Sequence, residues 1–186
     1  MGGHHLVLGK IEDFITGEIL DDTHDERYRQ KMARFLVVEK GYRKEDIQSR
    51  RPLIVAADTR KGRIWVDFTV TVDDRRTMVI KYAPGSLVTR HRPTLAISRL
   101  VEPYQIPVVV VTNGETADIL DGENSILRTS GFDQIPSRAE LLHNVQQAAY
   151  AFSPISPKRA EMEARIVYAF EIDGGCPCDD TACKIA

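Results

Sequence analysis

The chain has 186 residues, of which 42% are hydrophobic and 28% charged, a composition that suits one compact domain with a real core, alone or with a small appendage. Lys and Arg number 25 against 27 Asp and Glu, a formal net charge of -2, which excludes a polycation acting through bulk charge. No apolar run approaches the about 20 residues that a membrane span needs, and no basic-then-apolar leader pattern is visible, so the expectation is a cytoplasmic protein with no membrane partner.

In chain order, the first expected helix follows Asp22-Thr23, which can cap it, and runs through DERYRQKMARFLVVEKG. Tyr28, Met32, Phe35 and Leu36 recur there at helical spacing, and Gly41 ends it. A short helical piece, RKEDI, precedes PLIVAAD, which suits a strand, and residues 58–62 read as a turn. RIWVDFTVTV and TMVIKYA then flank Asp73-Asp74-Arg75-Arg76 as an antiparallel hairpin. Strict alternation would put Ile64, Val66, Phe68 and Val70 on one face and Asp67 on the other.

After Pro84-Gly85 a polar loop leads to a helix expected over residues 93–101, and IPVVVVTNG reads as a strand buried on both faces. TADILDGENSIL is hairpin-like, and two helices close the chain, the second capped by Ser156 with Pro157 at its first position. The expected fold is α/β: a central mixed sheet flanked by helices, with a helical C-terminal end and a short cysteine-containing tail. The expected parts are an acidic extension over residues 1–21, the α/β domain over 22–152, a C-terminal helix over 153–173 and the tail over 174–186.

The small net charge conceals two opposed blocks. Residues 12–26 carry Glu12, Asp13, Glu18, Asp21, Asp22, Asp25 and Glu26 with no Lys or Arg, whereas residues 75–101 carry Arg75, Arg76, Lys81, Arg90, Arg92 and Arg99 with no acid. Within the basic block, Ser86, Thr89, Arg90, His91 and Arg92 follow a Gly turn, and Arg99 closes it. Guanidiniums form paired, charge-assisted hydrogen bonds with phosphate oxygens, so this stretch is a candidate phosphate or nucleic-acid site. The competing reading is a basic turn that pairs with the acidic block, within one molecule or between two. No Walker-type loop, dinucleotide fingerprint or triad spacing occurs, which removes ATPase, dehydrogenase and serine-hydrolase readings.

The quoted helix, VDFTV, MVIKYAPG and IPVVVVTNG together resemble, in order and spacing, the N-terminal nuclease domain of the R subunit of type I restriction enzymes, a branch of the PD-(D/E)XK nuclease superfamily. The resemblance covers residues 22–120 by motif and, more loosely, the helical end to residue 172. It implies a restriction-endonuclease-like fold in which two strand acids hold Mg²⁺, the metal polarises a phosphate and activates water, and a nearby lysine stabilises developing charge. Asp67 matches the first acid, and Glu26 matches an acid that some members contribute from the opening helix. Ile80 stands where the second acid belongs and Tyr82 where the lysine belongs, leaving Lys81 one position out of step. Side chains alternate along a strand, so Lys81 is expected to point away from the site if Tyr82 points into it.

All three cysteines, Cys176, Cys178 and Cys183, lie in the last eleven positions, so disulfides do not hold the core. They could converge on Zn²⁺ or iron with a fourth ligand from His4, His5, His143, Asp179 or a second chain; the alternative is a tail of reduced thiols. Three functions follow: a catalytically degenerate nuclease-like module that binds nucleic acid, an Mg²⁺-dependent endonuclease whose catalytic set is Asp67, Glu26 and Lys81, with Asp58 in reserve, or an assembly protein that forms homo-oligomers through its tail.

Overall fold

In the computed structural model, residues 6–173 and 182–185 are described. A seven-stranded mixed sheet is built from β3 (Ile47–Ala57), β4 (Arg60–Val72), β5 (Arg75–Tyr82), β6 (Val108–Thr112), β7 (Ala117–Asp121) and β8 (Leu127–Ser130) in that spatial order, and β9 (Ala182–Ile185) adds to β4. All neighbours are antiparallel except β5 and β6. That single parallel pair needs a crossover, and α2 (Val88–Ser98) supplies it. Helix α1 (His24–Val38) and α3 (Arg138–Gln146) cover one face, where Met32, Leu36 and Leu141 meet Phe68, Met78, Ile80 and Val110. On the other face α2 and α4 (Pro157–Val167) lay Ala96, Ile97, Ala164 and Val167 on Ile64, Val66 and Val79. The α/β fold expected from the sequence is the fold observed.

The local signals act as expected at several ends. Thr23 Oγ1 accepts the Glu26 amide at 3.1 Å to cap α1, Gly41 takes φ +71° just past it, and Ser156 caps α4 with Pro157 in its first turn. The hairpin expected around residues 73–76 is tighter than read, because Asp73 and Asp74, both at positive φ, form a two-residue turn and Arg75 and Arg76 already belong to β5. Strand β6 is buried at every position. Among the described residues, no helix is long and apolar enough to cross a membrane.

Four differences matter. The segment before α1 is not a plain extension, because Lys10–Glu12 (β1) and Ile19–Asp21 (β2) pair as a small antiparallel hairpin. Next, α2 begins at Val88, well before Pro93, so Thr89, Arg90, His91 and Arg92 are helical and not part of a loop. The turn between β3 and β4 shrinks to Asp58 and Thr59, leaving Gly62 inside β4, where any Cβ would collide with Ile172.

The fourth difference is a change of phase within β3 and β4. Ile64 and Val66 pack with α2 and α4, whereas Phe68 and Val70 pack with α1, although all four are even-numbered. On β3, Ile47 and Val55 divide between the two cores in the same way. Arg50 has φ +47° and the ladder skips the Arg50–Asp67 pair while the register on either side is kept. A left-handed residue in a strand breaks the two-residue alternation, so both chains turn over at this point. Asp67 consequently faces α1, on the side where Phe68 packs, and not away from it.

Candidate functional site

The pivot in β4 builds the site. Asp67 is only 2% exposed. Its Oδ1 accepts Arg29 Nε of α1 at 2.6 Å, and its Oδ2 accepts the Tyr82 amide at 2.9 Å and lies 3.4 Å from Lys81 Nζ. Lys81 also donates to Trp65 O at 3.0 Å. The expected outward orientation of Lys81 is therefore corrected. Strand β5 stops pairing with β4 after Ile80, Asp67 leans over the end of β5, and the long lysine stem reaches it.

Burial works against ionisation of Asp67, but the charges of Lys81 and Arg29 and the bonds from Arg29 and the Tyr82 amide outweigh it and hold its carboxyl below the usual range. Burial likewise opposes the Arg29 charge, and Asp67 with Glu26 overcomes that, raising the guanidinium above its ordinary value. Glu26, 6% exposed, accepts Gln30 Nε2 on Oε1 at 2.8 Å and faces Arg29 NH1 with Oε2 at 3.5 Å. Arg29 thus stands between the two acids that the resemblance assigns to metal.

Around them, the Tyr82 ring stacks on Tyr28 at 5.7 Å between centroids and its hydroxyl donates to Asp25 at 3.1 Å. Burial and Asp25 push the Tyr82 hydroxyl pKa up. Trp65 carries the Arg63 guanidinium over its ring at 5.1 Å. A cavity of about 460 Å³ lies here, lined by Arg29, Ser49, Arg50, Trp65 and Asp67 and overhung by Glu18 and Asp21 of the β1–β2 hairpin.

A divalent cation does not fit this donor set. Mg²⁺ and its relatives need several anionic or carbonyl oxygens left open toward the ion. Here both oxygens of Asp67 are engaged by donors, two of them cationic. Ile80, where a second acid would stand, is fully buried in the apolar core against α1. Asp58 lies at the far tip of the β3–β4 hairpin, paired with Arg165 at 3.0 Å.

Among the described residues, the basic block does not pair with the acidic block. Within the acidic block Asp21 pairs with Lys10, Asp22 with Arg27, and Glu18 and Asp13 with Arg50 of β3. The arginines of α2 meet acids from the C-terminal half instead. Arg92 NH1 reaches Glu163 Oε2 at 2.6 Å, Arg99 NH1 and Arg159 Nε reach Glu163 Oε1 at 3.0 and 2.6 Å, and Arg90 lies 3.8 Å from Glu171. His91 Nε2 is 2.7 Å from Asp118 Oδ2, which sits on β7 and also accepts Ser130 Oγ through Oδ1.

Thr89 Oγ1 donates to Ser86 O at 2.9 Å, while Ser86 itself is exposed. Arg99, expected at the phosphate-facing surface, is 5% exposed and is a scaffold residue bonded also to Gln105, Gly122 O and Ser125. Glu163 is fully buried. Burial opposes its charge, but bonds from Arg92 and Arg159 and the charge of Arg99 hold its carboxyl low. Its role and that of Arg159 were missed in the sequence, where KRAEMEAR reads as an ordinary amphipathic helix.

Of the tail ligands, Cys176 and Cys178 lie outside the described residues, as do His4, His5 and Asp179. Cys183 is exposed on β9, opposite Arg63 of β4. Among the described residues, no group of three or more His, Cys, Asp or Glu side chains is arranged to hold a metal.

Set beside known families, residues 24–136 match the type I restriction enzyme R protein N terminus. No curated protein and no solved structure matches the chain. The match spans more than half of the sequence and takes in α1, the β3–β4–β5 hairpins, α2 and β6 to β8, the elements that hold Asp67, Lys81 and Arg29 together. The chain therefore belongs to the family of type I restriction enzyme R protein N-terminal domains.

Proposed function

We propose that this domain is a nuclease-like module that binds nucleic acid without cutting it, through arginines at the junction of α2 and α4. One observation carries the reading: three guanidiniums, Arg92, Arg99 and Arg159, converge on the single carboxylate of Glu163. Among the described residues, one charge is compensated and two are not. The buried Arg99 and Glu163 act as the anchor, and Arg92 and Arg159, whose side chains are 44% and 47% exposed, are held in place with open faces. Preset guanidiniums lose little freedom on meeting a phosphate and bind it with two parallel hydrogen bonds. Arg90 in the first turn of α2 and Ser86 in the segment leading into it supply further donors.

The catalytic silence rests on Asp67, whose oxygens are engaged by Arg29, Lys81 and the Tyr82 amide. Binding of a fluorescent single-stranded or duplex oligonucleotide, followed against salt, tests the first part. Affinity should fall as salt rises, and Arg92→Ala and Arg159→Ala should each flatten the logarithmic salt slope by about 1. No binding at low salt overturns it. Divalent-metal-dependent cleavage that Asp67→Asn abolishes overturns the second part.

A further inference from the structure

A second concavity lies away from Asp67. Its volume is about 480 Å³, and Asn124, Arg128, Asn144, Tyr150 and Phe152 are among the residues that form its wall. That volume falls within the range of small-molecule sites. The segment bearing the two aromatic rings is held in an uncommon conformation, because Ala148 and Phe152 have φ of +52° and +47°. Non-glycine residues take up such angles at a cost, and they concentrate at ligand-binding segments. Phe152 meets Tyr150 edge-on at 6.1 Å and carries the Arg75 guanidinium over its own ring at 4.9 Å, which leaves Tyr150 buttressed from one side.

The polar groups of the wall are aimed by their neighbours. Asn124 Nδ2 is committed to the carboxylate of Asp121 at 3.2 Å, so its Oδ1 is the group left to accept. Glu123 takes Ser153 Oγ on Oε1 at 2.7 Å. The wall therefore offers an aromatic ring and hydrogen-bond acceptors, with the Asp121 carboxylate engaged by Asn124 and Arg128 and the Glu123 carboxylate by Ser153. Arg128, paired with Asp121, contributes a cation whose side chain is 60% exposed.

The cavity is also tied to the arginine cluster through one loop. Gly122 O and Ser125 Oγ accept Arg99 NH2, and Glu123 and Asn124, the two residues between them, line the cavity.

We propose that this cavity receives a single nucleobase bearing an exocyclic amino group, unstacked from a strand whose phosphates lie outside on the arginines. Tyr150 supplies the stacking surface, and the acceptors of Asn124 and Glu123 take the amino hydrogens. A ring with a carbonyl in that position brings no hydrogens for these acceptors. Adenine and cytosine are favoured over thymine and uracil for that reason. The proposal rests on the nucleic-acid reading for its strand-borne source, and a free nucleoside would present the same chemistry.

The test uses the full chain with a short single-stranded oligonucleotide carrying one 2-aminopurine, whose emission rises when the base leaves its neighbours. Emission should rise on binding, and Tyr150→Ala should remove the rise and weaken binding by roughly 10-fold, while Tyr150→Phe keeps both. Asn124→Ala, at an exposed position, should level the preference for amino-bearing bases even if Tyr150→Ala fails to fold. Binding with no emission change and no effect of either variant overturns the cavity assignment and leaves the nucleic-acid reading standing. Calorimetric binding of free adenosine or cytidine, lost in Tyr150→Ala, with no oligonucleotide binding at low salt, upholds the cavity and overturns the strand-borne source. Failure of both ligands overturns both.

Discussion

Neutralising Asp67 separates an acid retained for chemistry from one retained for structure. Asp67→Asn preserves shape and can still accept the Tyr82 amide, but it removes the negative charge in direct contact with Arg29 Nε at 2.6 Å and Lys81 Nζ at 3.4 Å, leaving Glu26 at 3.5 Å from Arg29 NH1. The three side chains are 3%, 12% and 6% exposed, in the order Asp67, Arg29, Lys81. Removing one partner of such a buried set costs about 3–5 kcal/mol, against a total stability of about 5–15 kcal/mol for a typical domain. At about 2–4 °C per kcal/mol for a chain of this size, the melting temperature should fall by roughly 6–20 °C at pH 7.

The pH dependence has a definite sign. The carboxyl of Asp67 is held below its ordinary value of 3.8 in the folded state. The unfolded chain therefore binds the proton first as pH falls. The stabilisation is fully present above pH 3.8 and disappears as pH drops from there through the folded value. Urea denaturation of wild type and Asp67→Asn at pH 7 and at successively lower pH should show a gap that narrows below pH 3.8. A poised catalytic acid without internal partners would give the opposite result, a variant as stable as wild type or more so. A difference below about 0.5 kcal/mol at pH 7 would refute the internal compensation argued here.

Glu163→Gln should also cost about 3–5 kcal/mol, because it strands the buried Arg99; adding Arg99→Leu should recover part of that loss in the same urea titration. Gly122→Ala should destabilise by about 1–3 kcal/mol, since the added Cβ would collide with the Ile106 carbonyl and neither backbone can yield cheaply. Thr23→Ala should cost about 1 kcal/mol through loss of the cap on the Glu26 amide, read as a lowered urea midpoint with an unchanged slope.

The parts of the fold that were legible in the sequence are those with local causes. A cap and a glycine stop bracket α1, a hairpin turn within residues 73–76 joins β4 to β5, and an unbroken apolar run marks β6, each read from a few neighbouring residues. The β1–β2 hairpin escaped notice because its strands have three residues each and lack a hydrophobic face of their own. Helix α2 starts before Pro93 because tertiary contacts override the usual preference of proline for a first turn.

For the site, the sequence supplied the identities and the missing acid but not the geometry. Period-two reasoning put Asp67 on the wrong face and Lys81 out of reach, because one left-handed residue, Arg50, lies on a different strand from either of them. The charge blocks at 12–26 and 75–101 are properties of the sequence alone, and so is the family that Asp67 and its surrounding motifs point to. Which acid meets which base was decided by the tertiary structure, since α4 brings Glu163 to Arg99 across 64 positions and α1 brings Arg29 to Asp67 across 38. Ion pairs have no periodicity to betray them in advance; they form wherever packing of the apolar faces brings two charges out of water together.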